Sequence, residues 1–385
     1  MTNVKTLSEI NQYTSQSVNP MDYPDKYYEL YSVPSYDNDY PEIIQGKEIG
    51  STKVTVEDND VLICKINPRI NRVWVVKHRT DYQLLASSEW IIVRNPEINP
   101  NYLKHYFSSP SFRMLINSQV AGIGGSLTRA QPKQVAKYPV PLPSRKEQDE
   151  ITIIFDEIDE LISLRKKQLQ KLDDLVKSRF VEMFGDPVSN PKEWETVPLS
   201  NEADIKIGPF GSLLHKEDYI VGGHALVNPS HIVSGKIVPD HELTVSDEKY
   251  AELAVYHLKV GDVVLGRRGE MGRCAVVEQE GLLCGTGSLI IRSKGDLRAD
   301  FIQKIISFPS FKETIEEMAV GQTMPNLNVP IVSAFQIIKP PKKTQDQYYD
   351  FVDKMMRTKT ITQQGLNKLE QMKQALMQKY FGGKE

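Results

Sequence analysis

Apolar residues recur at helical spacing along two stretches far longer than one globular helix needs. Stepping by three and four from Phe155 meets Ile158, Ile162, Arg165, Leu169, Leu172, Val176, Arg179 and Met183, and seven of these nine positions are apolar. So narrow a stripe predicts a helix paired along a seam rather than one lying broadside on a core. Ser144 and Glu147 after Pro143 form a capping-box start. Gly185 followed by Pro187 is a stop signal. A second stripe runs Val352, Met355, Lys359, Thr362, Leu366, Leu369, Lys373, Leu376 and Tyr380, ending at Gly382-Gly383. It is the weaker of the two, and Gly365 within it costs about 1 kcal/mol. Each stripe needs a cover, and antiparallel pairing lets each cover the other. At ~1.5 Å per residue, about forty residues make a spacer of ~60 Å.

Elsewhere the pattern changes to short β-branched runs between turn residues: Val61–Ile63, Trp74–Val76, Trp90–Val93, Val263–Leu265, Ala275–Val277 and Leu289–Ile291. Two helical stretches, Asn101–Ser118 and Arg298–Ala319, follow them. The two halves are copies. A shift of 197 residues lays Pro143, Gln148-Asp149, Leu169 and Lys171-Leu172 on Pro340, Gln345-Asp346, Leu366 and Lys368-Leu369. Close to that register, Ser109-Pro110-Ser111-Phe112 matches Phe308-Pro309-Ser310-Phe311, and Asp60-Val61-Leu62 matches Asp262-Val263-Val264. The expected fold is α+β: two α/β domains separated by two long antiparallel coiled-coil helices, with an internal pseudo-twofold repeat. The expected segments are 1–143, a helix over 144–186, a second domain over 187–340 and a helix over 341–385.

Composition narrows the classes. With 385 residues, 40% hydrophobic and 25% charged, the chain is globular and multi-domain. No apolar run approaches the ~20 residues of a membrane helix, and Met1–Lys5 has no signal-peptide core, so a cytoplasmic location is expected. Cys64, Cys274 and Cys284 are odd in number, far apart and without a His cluster, against a disulfide framework or a zinc site. The net charge of −3 is no advertisement for nucleic acid, but the charge is segregated. Neither Val61–Thr80 nor Ile98–Lys146 contains an acid, while both carry Lys and Arg; phosphates respond to such local surface.

Candidate contacts follow from that segregation. Lys65, Asn67, Arg69, Asn71 and Arg72 lie between two strands of the first copy, and Arg267, Arg268 and Arg273 occupy the matching Gly-rich loop of the second. Arg pairs with guanine and Asn with adenine edges, and glycines let backbone approach phosphate. Ser126 and Arg129, matched by Gln322, Thr323 and Asn326, precede the long helices. Ser212 and Lys216 follow a Gly-Pro-Phe-Gly turn as a third group. Solvated hairpin tips and ordinary turns would explain the same residues. Three other patterns carry little: Asn99-Pro100-Asn101-Tyr102 lacks the second Pro of an adenine methyltransferase motif, Ala121–Gly125 is not a nucleotide loop, and Asp240 with Asp247-Glu248-Lys249 is too tightly spaced for a two-carboxylate Mg²⁺ site.

Pro141-Leu142-Pro143-Ser144-Arg145-Lys146-Glu147-Gln148, a long helix ending Phe180-Val181-Glu182-Met183-Phe184-Gly185-Asp186-Pro187, and the opening Trp194–Leu199 followed by Ile207-Gly208-Pro209-Phe210-Gly211-Ser212 resemble the specificity subunits of type I restriction-modification systems. The likeness spans the chain in order, except that the first domain has no Gly-Pro-Phe-Gly run. It implies two target-recognition domains, each reading one half of a split double-stranded DNA site, with the helices fixing the gap. It further implies docking of two methyltransferase (modification) subunits and of restriction (translocase) subunits. S-adenosylmethionine, ATP and Mg would then sit on those partners, and this chain would hold no cofactor, metal or catalytic residue. The rival expectations are a self-contained metal-dependent nuclease or DNA methyltransferase, and a coiled-coil scaffold whose globular ends bind protein.

Overall fold

The computed structural model of the chain describes residues 3–118, 120–121, 128–210, 213–319 and 326–382. Two compact units emerge: residues 1–169 with 361–385, and residues 170–360. Both long helices, Arg145–Phe184 and Lys342–Phe381, are divided between them. The C-terminal turns of the chain therefore complete the first unit, which periodicity alone did not reveal.

In the first unit, an antiparallel sheet takes the order Val73–Val75, Val61–Cys64, Trp90–Val93. A second sheet orders Ser17–Val18, Lys53–Thr55, Gln83–Ala86, Tyr27–Tyr31 and Glu42–Gln45, with Tyr27–Tyr31 and Gln83–Ala86 parallel. The other unit repeats the plan. Ala203–Ile207, Ser288–Ser293, Val263–Gly266 and Cys274–Val276 form one sheet; Tyr219–Ile220, Thr244–Val245, His224–Val227 and Leu283–Cys284 form the next, its last pair again parallel. An N-terminal strand of each unit pairs with the strand leading to its long helix: Asn3–Thr6 with Pro139–Leu142, and Thr196–Pro198 with Gln336–Ile338. The chain is thus the duplicated α+β molecule its sequence suggested.

The repeated residues perform repeated tasks. Gln148 is buried and accepts from the Asn99 amide at 3.0 Å while donating to Pro143 O at 3.0 Å. Gln345 does the same with the Arg298 amide and Pro340 O, at 3.0 and 2.9 Å. Each glutamine pins the first turn of a long helix to the start of a shorter one. Asp60 and Asp262 are buried and gripped by two nitrogens of Arg94 and Arg292 respectively, all at 2.6–2.7 Å. Such bidentate pairs need their hydrogen bonds to offset desolvation.

Both helix starts and stops follow the sequence signals. Ser144 and Glu147 exchange capping hydrogen bonds, and Gly185 adopts φ +77°, the left-handed conformation that ends a helix. The shorter helical stretches differ from expectation. Each is two helices, Pro100–Phe107 then Pro110–Ser118, and Ala299–Ile306 then Pro309–Ala319. Pro110 and Pro309 lack the amide a continuous helix requires.

Within each unit the long-helix segments run antiparallel. In the first, Asp159 pairs with Lys373 and Lys166 with Glu370 at 3.3 Å. In the second, Asp173 pairs with Lys359, and Phe180 packs on Tyr348. Lys359 and Lys373, the blemishes of the second stripe, are thus neutralised by acids from the facing helix. Helix-end phenylalanines plug both cores: Phe381 stacks on Phe155 and meets Tyr102 edge-on, while Phe184 meets Phe301 and Tyr348. Such aromatic pairs add to simple area burial.

Candidate nucleic-acid interface

Each unit gathers three segments, distant in sequence, at one end of its first sheet. In the first unit the loop after Val61–Cys64 turns through Pro68–Ile70, with Asn67 and Asn71 flanking it at φ +47° and +53°. Asn tolerates this left-handed backbone better than most residues. The Asn67 amide donates to Thr128 O at 2.8 Å, the Ala130 amide donates to Lys65 O at 2.9 Å, and Ile66 bridges Arg129. Two of the sequence-chosen groups therefore meet. A third contributor was missed: Arg113, from the helix Pro110–Ser118, donates to Arg69 O at 3.0 Å.

The second unit builds the same junction. The Leu327 amide donates to Arg267 O, and the Arg267 Nε donates back to Leu327 O, both at 3.0 Å. Asn326 is adjacent, and its side-chain oxygen is buried without a partner. Gly272 adopts φ +71°, where a Cβ would press within 2.7 Å of the Lys312 side chain. Lys312, from the helix Pro309–Ala319, ion-pairs with Glu270 at the loop tip at 3.2 Å. Arg113 and Lys312 both follow the repeated Pro-Ser-Phe, so a basic residue at a repeat position was the signal that could have found them.

The electrostatics separate free cations from occupied ones. Arg69 and Arg268 are exposed and form no ion pair with another described residue. Arg72 approaches Asp37 at 3.6 Å, and Arg129 holds Glu89 at 3.0 Å. The acid-free windows of the sequence are thus not acid-free in space, because a short helix and a turn from elsewhere in the unit supply carboxylates. Arg273 is bound to Glu270 at 2.6 Å. Burial lowers the Lys65 ammonium, with Glu89 opposing and Arg129 reinforcing. Burial also lowers Arg267, with Arg268 adding to it.

The remaining candidates stand apart. Lys216 begins the short turn Lys216–Asp218 ahead of the second sheet, and no hydrogen bond or ion pair joins it to the 266–273 loop among the described residues. Ser126, Ser212, Gln322 and Thr323 lie outside the described residues. The enzyme-like patterns have structural jobs. Asn99 caps the helix Pro100–Phe107, accepting from the amides of Asn101 and Tyr102, and Tyr102 is buried with its hydroxyl on Pro141 O. Asp240 accepts from the Glu242 amide, Asp247 meets His224, and Lys249 pairs with Asp218 and Glu252. The three cysteines are free and buried. Among the described residues no cluster of three metal-ligating side chains occurs, and no helix is long and apolar enough to cross a membrane.

Comparison with known proteins agrees with this geometry. A family model described as the type I restriction modification DNA specificity domain matches twice, over residues 5–174 and 191–371. The type I restriction enzyme MjaVIII specificity subunit of Methanocaldococcus jannaschii is 20% identical, over 88% of this chain and 81% of its own. The MjaIX specificity subunit of the same organism is 22% identical, over 76% and 70%. A solved chain from work on assembly and conformational transition of the type I restriction-modification system superimposes with a TM-score of 0.68 at 17% identity, covering 99% of this chain and 97% of that one. The specificity subunit from M. genitalium gives 0.55 at 12%, covering 100% and 96%. At such identities these solved structures speak for the fold.

Proposed function

The chain belongs to the type I restriction modification DNA specificity family, and from that premise we propose that it reads a split double-stranded DNA site, one half through each unit. The observation that carries this is the repeated three-part junction, which presents an exposed arginine in each unit, Arg69 and Arg268. Exposed Arg at a loop tip suits guanine edges or phosphate. The loops set identity, and the paired helices set the spacing between halves, since major-groove faces recur about every ~34 Å.

The chemistry belongs to partners. Two methyltransferase subunits dock along the helices, where Leu161, Leu164, Leu175 and Ile361 are exposed apolar residues, and restriction subunits join them. S-adenosylmethionine, ATP and Mg bind those partners in the cytoplasm, and this chain supplies recognition without catalysis. Sequencing of methylated adenines in the host, with and without the gene for this chain, tests the proposal. A two-part motif should vanish on deletion and return on complementation; a methylation pattern indifferent to the chain would contradict it.

A further inference from the structure

The two junctions differ in their acids. The 65–72 loop carries no acid, whereas Glu270 stands at the tip of the 266–273 loop. Its carboxylate receives Arg273 Nη2 at 2.6 Å, Arg273 Nε at 3.1 Å and Lys312 Nζ at 3.2 Å. Arg113, at the repeat position of Lys312, is used differently: it donates to the backbone of Arg69. Beside Glu270 lies a cavity of about 500 Å³, lined in part by Ser234, Gly235, Lys304 and Ser307. Lys304 is half-buried with no carboxylate partner among the described residues, its ammonium 5.8 Å from the centre of the Phe180 ring. Its repeat counterpart His105 meets Asp156 at 2.7 Å. Arg273 and Lys312 therefore converge on one concave surface, and the acid ion-paired with both is Glu270.

We propose that Glu270 is a built-in competitor for DNA, its carboxylate occupying the place between Arg273 and Lys312 that a DNA phosphate takes when the cognate half-site docks. The proposal rests on the DNA-reading role above. Two oxygens of a carboxylate and two of a phosphate present similar acceptors to a guanidinium. An internal carboxylate thus competes with every phosphate the unit meets. Unrelated duplex offers phosphate alone and loses to it. A cognate half-site adds base-edge contacts that make the exchange favourable. Arg273 and Lys312 in turn hold the Glu270 carboxyl below its ordinary range, keeping the competitor charged. As an exposed ion pair, Glu270 contributes little to folding, so its removal acts on binding and not on stability.

The test compares the full chain with Glu270→Gln, each assembled with its methyltransferase, on an unrelated duplex and on one carrying the host's methylated motif across a salt series. The variant should bind unrelated duplex about tenfold more tightly at ~50 mM salt, with the log–log salt slope steeper by about 1–2, as expected for one or two further phosphates neutralised. Affinity for the motif should rise at least as much, because wild type must break the Glu270 pairs to seat the phosphate there, while the salt slope on the motif stays nearly unchanged. Adding Arg273→Gln and Lys312→Gln to the variant should restore the shallower slope. An unchanged slope on unrelated duplex, a gain confined to unrelated duplex, or a steep slope persisting in the triple variant would overturn the proposal, provided unfolding midpoints match. Absence of salt-dependent duplex binding by the wild-type assembly would defeat the DNA-reading role itself, and this inference with it.

Discussion

The two units share a scaffold residue for residue where the chain must be held, and diverge where it must read. Gln148 and Gln345 make the same pair of backbone contacts, and Asp60 and Asp262 grip matching arginines. At the loops the likeness stops. One tip has two left-handed asparagines around Pro68–Ile70; the other has Gly269, Gly272 and a carboxylate. Duplication followed by divergence that reaches the loops is what a reader of two different half-sites requires, since a symmetric reader would see only one sequence twice.

The largest effects should come from the plugs. Phe184→Ala removes a fully buried ring and should cost about 3–5 kcal/mol. Phe381→Ala, in the last turn of its helix and slightly exposed at 4%, should cost less; chemical unfolding of both variants measures the difference. Next come the buried pairs. Arg94→Met and Arg292→Met each strand a buried aspartate that keeps only its backbone donor, Glu57 N or Lys259 N. About 3 kcal/mol is expected from each, and unequal losses would show that the scaffold is less symmetric than its geometry. Gln148→Ala and Gln345→Ala each orphan a backbone amide and should cost about 1–3 kcal/mol.

A smaller difference concerns pH. Burial lowers the His105 imidazole, although Asp156 and then Asp159 oppose the shift. A histidine whose folded value is depressed binds fewer protons than in the unfolded chain, so stability is present above the unfolded value of ~6.5 and is lost as pH falls below it. Lys304 stands at the matching position, its ammonium lowered by burial and then by Lys177. A modest loss between neutral and mildly acidic pH should therefore be relieved by His105→Gln, and thermal melts at several pH values would register it. No change in that variant would remove the histidine from the account.

Much of the scaffold was legible because its signals are local or repeated. Ser144 and Glu147 announce a helix start, Gly185 announces its end, and the β-branched runs from Val61 and Val263 announce strands. The five-stranded sheet was not legible. Its members, such as Tyr27–Tyr31 and Gln83–Ala86, mix polar and apolar residues without strict alternation, and a parallel pairing leaves no hairpin signal. The closure of the first unit by Phe381 was hidden because it joins residues more than two hundred positions apart. At the site, loop positions could be read from the repeat, but the pairing of Arg129 with Glu89 and of Arg273 with Glu270 depends on tertiary approach. Charge counted along the chain overstated how much positive surface is free.

The central claim is that each unit reads its own half of one split site. It is tested most directly by the methylated motif in cells carrying Arg69→Ala or Arg268→Ala in an otherwise intact system. Each substitution should cost about 1–3 kcal/mol of binding if the guanidinium meets a base edge, and should relax one half of the motif while leaving the other half and the gap unchanged. Two variants that relaxed the same half, or that left both halves as in wild type, would contradict the account.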